Sequence, residues 1–260
     1  MKKILGLGNR WSEEQKSFLA KYGLQVAAGE TSWVQFKESV HSSLKKETDT
    51  WDVMRGVRLS FTASELKSAN FLAMTGLYSN GYPMPDDDFG YVREVYGDNC
   101  PSCGIPGKQI GPFSIRRPKT KRKAFTLEWV HDEIFVRREV YESQIRQLGV
   151  ASREVLLYPS RGICEEFVQL DLSANLVDIN TTGLKFEECP TCNERKYSPK
   201  LEDFLQPITQ EPAFEIGRSV QYFGSGHGSF RLNIFSQKAK QVFVENRLAL
   251  PRFFHPILNS

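Results

Sequence analysis

No apolar run in the sequence approaches the roughly 20 residues that a membrane-spanning helix needs, so no membrane role is expected. Only four histidines are present, His41, His131, His227 and His255, and none forms the paired pattern of a zinc-protease helix. A Gly-x-Ser-x-Gly elbow is missing, as is a phosphate-binding loop closed by lysine and serine. Gly6 and Gly8 are half of a dinucleotide fingerprint, without the third glycine or the distal acid, and read as a plain turn. His131-Asp132-Glu133 gathers polar groups, but reads as a strand-end loop with a surface histidine. Together these gaps predict a protein that is not an enzyme. Charge of one sign is also scarce. A net charge of +3 is too mild to declare a nucleic-acid protein by itself. The opening Met1-Lys2-Lys3-Ile4-Leu5 has only a token apolar run before Asn9-Arg10, so no leader peptide is expected.

What is present is an ordinary globular composition, 40% hydrophobic and 25% charged over 260 residues, enough to bury a proper core. Four of the five cysteines form two short turns, Cys100-Pro101-Ser102-Cys103-Gly104 and Cys189-Pro190-Thr191-Cys192-Asn193. In each, proline presets the turn, and glycine or asparagine supplies the left-handed residue that lets backbone N–H groups face sulfur. Two unrelated cysteine pairs, or a redox Cys-x-x-C, are the plainer readings. The repeated proline and the lack of a thioredoxin-like setting favour a metal. Four thiolates suit tetrahedral Zn2+, in a closed site with a structural role. Residues 104–188, 85 in all, lie between the turns, so such an ion would close a loop worth about 4–5 kcal/mol. Reduced thiols in metal spacing point to the cytoplasm. Cys164, left over, reads as a buried small hydrophobe.

Along the chain, Ser12-Glu13-Glu14 predicts a helix that stops at Gly23. A second helix is predicted from Thr31-Ser32, with Trp33, Phe36, Val40 and Leu44 on one face. Residues 51–61 read as strand, and Thr62 or Ser64 caps a helix carrying Leu66, Ala69, Phe71 and Leu72. Thus residues 1–50 read as an N-terminal helical segment and 51–260 as a zinc-stabilised domain with two strand–helix modules. The fold class predicted is α+β, with mixed and antiparallel sheets and packed helices, tied by a structural zinc held on four cysteines.

Three exposed stretches could meet partners. Asp86, Asp87 and Asp88 form an acidic loop that could face a basic protein or a cation. The glycine-rich turn 224–229 carries His227. Arg116, Arg117, Lys119, Lys121, Arg122 and Lys123 make a basic run around Pro118, read as a hairpin tip able to touch phosphates. No aromatic residue interrupts that run to stack on bases.

The CPxCG turn, the segment "IFVRREVYESQIRQLGV", the second CPxC turn and the terminal "NIFSQKAKQVFVENRLALPRFFHPI" resemble the double-CxxCG motif family. That family is known mainly from myxobacteria and includes immunity proteins of the Sit contact-exchanged toxin system. The resemblance covers roughly residues 97–260. Asn193 stands where the family motif has glycine, and residues 1–90 have no counterpart. It implies Cys100, Cys103, Cys189 and Cys192 as the metal set, and a cognate protein toxin as partner. A zinc-ribbon-like nucleic-acid binder is the alternative.

Overall fold

Strand Lys2–Arg10 pairs antiparallel with Thr31–Lys37 on one side and Met54–Ser60 on the other. This three-stranded sheet belongs to the first of two compact units, Met1–Glu65 with Leu201–Asp203, and the second comprises Leu66–Lys200 and Phe204–Ser260. The computed structural model describes residues 2–37, 44, 47, 48, 50–97, 99–199 and 203–259.

In the first unit, helix Glu13–Ala20 begins as expected, with Ser12 and Gln15 capping each other reciprocally. Leu5, Leu7, Trp11, Leu19, Val34, Phe36 and Leu44 form its core. The segment from Thr31 is a strand, where the sequence reading expected a helix. Val34 and Phe36 are buried at a spacing of two, whereas Trp33 points to the opposite face and is 51% exposed. Val40 lies outside the described residues. Gly6 and Gly8 are inside the first strand, not in a turn. Trp33 lies against them, and a Cβ on Gly8 would come within 2.6 Å of its ring. Glycine in this strand makes room for the indole. Because the strand Met54–Ser60 completes this sheet, the first unit runs on to Glu65 and is not confined to residues 1–50.

The second unit begins at Leu66, within helix Ala63–Ser68. Thr62 caps this helix, accepting from the Glu65 N–H while the Glu65 carboxylate takes the Thr62 N–H. Phe71 and Leu72, expected on it, belong instead to strand Phe71–Met74. That strand is held between Asn233–Ser236 and Phe254–Pro256, which come from the terminal motif. Ile216–Ser219 and Leu176–Val177 complete a five-stranded sheet with one parallel pairing.

A six-stranded sheet runs in the order Pro83–Met84, Ser114–Ile115, Ala151–Leu157, Gly162–Asp171, Val130–Arg137, Ala124–Leu127. Residues 78–81 exchange backbone hydrogen bonds with Thr126 and Glu128 at the far edge, and 83–84 start the near edge. The sheet therefore curls toward closure, which hides both edges. Phe113, Phe125, Phe135, Val155, Cys164 and Phe167 fill its interior, so the fifth cysteine is a core residue. Basic residues 116–123 join two strands that do not pair with each other, so this loop is not a hairpin tip. Two strand-to-helix passages are present. Val130–Arg137 runs into an irregular helix over 138–148, closed by left-handed Gly149, and Asn233–Ser236 runs into Gln237–Glu245, capped by Ser236. The protein is α+β, with antiparallel and mixed sheets. Among the described residues no helix is long and apolar enough to cross a membrane.

Candidate metal centre and the neighbouring cavity

The second cysteine turn is the tip of a hairpin. Phe186–Glu188 pairs antiparallel with Arg195–Tyr197, and the chain reverses at Cys189–Asn193. The first turn follows helix Tyr91–Val95 and lies between Tyr96 and Gln109, which pair across it. Both turns carry the same internal bonds. Gly104 N–H donates to Cys100 O at 2.9 Å, and Asn193 N–H to Cys189 O at 2.9 Å. Gly104 and Asn193 hold φ of 68° and 59°, as the sequence pattern requires. Ser102 Oγ and Thr191 Oγ1 share a hydrogen bond of 2.7 Å between the two tips.

The four Sγ atoms all lie within 4.8 Å of one another. Cys100 to Cys189 and Cys103 to Cys192 are each 3.7 Å apart. A tetrahedral ion with metal–sulfur bonds of about 2.3 Å sets sulfurs roughly 3.8 Å apart, so this donor set fits one. The same spacing is far too long for a disulfide. Backbone donors favour the thiolates. The Cys103 N–H lowers the Cys100 thiol, and the Cys192 and Thr191 N–H groups bring Cys189 down to about 6. Burial pushes Cys103 up to about 12, against the Ile105 N–H. Cys192 receives the Glu194 N–H, yet burial and the neighbouring thiols raise it.

Arg195 and Lys196 follow the second turn directly, where cations could offset the charge of a thiolate cluster. Only Lys196 turns inward. It is buried and donates to the carbonyls of Cys103 and Gly226. Arg195 is exposed and pairs with Glu188 at 2.7 Å.

Beside the cysteines, and walled in part by Cys100 and Cys192, is a cavity of about 840 Å³. Its floor is a buried ion pair that the sequence reading missed. Arg218 donates two parallel hydrogen bonds to Glu133, at 2.8 and 2.9 Å, joining the five-stranded sheet to the six-stranded one. Gln169 donates to Glu133 at 2.8 Å and exchanges hydrogen bonds with Gln109. Burial lowers the Arg218 guanidinium, but the Glu133 charge outweighs it and the net shift is upward. Burial raises Asp132, with Glu133 adding and Arg218 opposing. Tyr96 is raised well above the usual phenol, chiefly by burial. His131 is exposed, but its neighbours are not a surface loop. They lie inside strand Val130–Arg137 with Glu133 buried. A buried carboxylate in a strand of Val, Ile and Phe was the available signal.

Asp87 and Asp88 are exposed and Asp86 half-buried, on a turn after Pro83–Met84. They adjoin three outward-facing rings: Tyr82, Phe89 and Trp129 are 44%, 55% and 45% exposed. Tyr82 and Phe89 pack tilted against Trp129, with ring centroids 4.7 and 4.6 Å away. His227 is exposed elsewhere, on the loop whose backbone packs against Gly104. Arg116, Arg117, Lys119, Lys121 and Arg122 are exposed and Lys123 half-buried, with Arg122 over the Tyr78 ring at 3.2 Å. No family model matches the chain, and neither a curated protein nor a solved structure matches it.

Proposed function

We propose that this chain is a non-enzymatic interaction protein with a structural zinc at Cys100, Cys103, Cys189 and Cys192, acting as an immunity protein that covers a cognate toxin. The observation that carries the interaction reading is the aromatic trio edged by aspartates. Large exposed rings clustered together are uncommon on a protein without a partner and are typical anchors of interfaces. Asp88, Phe89 and Trp129 have positive φ of 48°, 53° and 67°. Each such bulky or acidic residue costs about 1–2 kcal/mol, and such strain collects at functional sites. Three carboxylates beside the rings suit a basic partner, and charge of this kind speeds and orients encounter. The double-CxxCG resemblance supplies the finer identity, a toxin made by the same cell. The compartment is the cytoplasm, where thiolates stay reduced.

The test pairs the chain with the toxin-like open reading frame beside its gene. Co-expression should rescue growth, and the purified proteins should bind. Trp129→Ala with Asp87→Lys and Asp88→Lys should abolish both while leaving the unfolding midpoint in place. Rescue by this triple variant, or toxicity undiminished by the native chain, sinks the proposal. Metal analysis should return one zinc per chain, lost in Cys100→Ser.

A second reading is favoured by the six basic residues of 116–123, which could track a phosphate backbone. Binding to DNA or RNA would then weaken steeply with salt, and charge reversal across the loop would remove it.

A further inference from the structure

The cavity beside the cysteine cluster is independent of the aromatic patch, and its charges do not balance pairwise. Glu133 and Arg218 satisfy each other through both guanidinium Nη atoms. Asp132 and Arg231 do not. Among the described residues neither has an ion-pair partner. The Asp132 carboxylate accepts the Arg231 backbone N–H at 2.9 Å, and the Arg231 guanidinium spends one Nη on the Tyr222 hydroxyl at 2.8 Å. On three residues that line the cavity, Arg218 Nε, Arg231 Nε and Asn99 Oδ1 are buried and have no hydrogen-bond partner among the described residues. Buried polar atoms are nearly always satisfied, and a cluster of exceptions around one space calls for an occupant. Asp132 asks for a cation and Arg231 for an anion. A volume of about 840 Å³ is in the range of small-molecule sites.

We infer that this cavity binds a small zwitterion of amino-acid or short-peptide class, its ammonium facing Asp132 and its carboxylate facing Arg231. A neutral sugar would leave Asp132 and Arg231 without counter-charges. A plain anion such as phosphate would oppose Asp132 and Glu133, and a plain cation would oppose both arginines. A zwitterion answers Asp132 and Arg231 together. Because Cys100 and Cys192 form part of the wall, the knuckles also hold the site's shape.

The probes are the twenty free amino acids and a set of dipeptides, offered to the metal-loaded full chain and read by unfolding midpoint and titration calorimetry. At least one should bind saturably, one per chain. Asp132→Asn keeps the acceptor for the Arg231 N–H and should weaken that ligand roughly tenfold or more, the loss of one charge-assisted contact. It should leave the ligand's N-acetyl derivative unaffected. Arg231→Gln should mirror this, weakening the free acid and sparing the carboxamide. The derivatives act as controls on the same variants, so a folding defect, which weakens all ligands alike, is told apart from a lost contact. No saturable binding in the millimolar range by any probe overturns the inference. So does binding that both variants retain in full.

Discussion

The two cysteine turns are near copies inside and differ in what presses on them from outside. Each has its backbone N–H donors on sulfur and a left-handed residue after the second cysteine. At Gly104 a Cβ would meet the His227 carbonyl oxygen at 2.6 Å, whereas Asn193 carries its side chain without such a clash. The first turn is wedged between the 224–229 loop and buried Lys196. The second projects as a hairpin tip whose flanking strand Phe186–Glu188 is exposed throughout. Left-handed backbone therefore accounts for either residue type, and only close packing accounts for glycine. The departure from a double-glycine pattern marks which turn is embedded.

That contrast can be broken most severely by removing what the turns share. Chelation, or Cys103→Ser, should cost the second unit the loop closure of about 4–5 kcal/mol, lowering its midpoint by roughly 10–20 °C in a calorimetric scan. Acidification should do the same reversibly. Backbone N–H groups hold the Cys189 thiol down to about 6 before any metal binds, and a bound cation would hold it lower still, so release should need a pH well below that value, with the freed metal appearing in a chromogenic assay. An ion lost already at neutral pH would argue against a site of four thiolates.

Next in size is the difference between the turns. Gly104→Ala should cost about 2–4 kcal/mol, a left-handed penalty plus displacement of the His227 backbone. Asn193→Ala should cost about 1 kcal/mol and Asn193→Gly close to nothing, all measured by denaturant midpoints. Equal losses at both sites would show that packing around the first turn is unimportant. Lys196→Met should cost about 1–3 kcal/mol by stranding the Cys103 carbonyl in the first turn and the Gly226 carbonyl in the loop beside it, and should weaken metal retention.

The smallest effect runs the other way. Burial raises the Asp132 carboxyl on folding, so its penalty is absent below the unfolded value and complete above the folded one. Asp132→Asn should therefore stabilise the protein near neutral pH, with the gain fading as the pH falls from the raised folded value to the ordinary carboxylate one.

The turns were legible because their chemistry is local: spacing, proline and a left-handed residue stand within five positions. Capped helix Glu13–Ala20 was legible for the same reason. The stretch from Thr31 was not, because Trp33, Phe36 and Leu44 satisfy a helical spacing as well as Val34 and Phe36 satisfy an alternating one. The deciding feature, a glycine bed under Trp33, comes from two other strands. The cavity was hidden for a related reason. Asn99, Glu133, Arg218 and Arg231 reach it from distant parts of the chain, and no window of sequence contains their meeting. The basic run misled differently. Its composition was plain, but which strands it joined depended on a sheet that curls until its edges are bridged.

The basic loop 116–123 has one more consequence. It is exposed, rich in lysine and arginine, and stands between the first pair of cysteines and the second. A trypsin cut there severs the chain without severing the body, since one pair of sulfurs remains on each fragment and an ion held between them rivets the halves together. Such a nicked protein should travel as one species through a sizing column and part into two only when denaturant and chelator are both supplied.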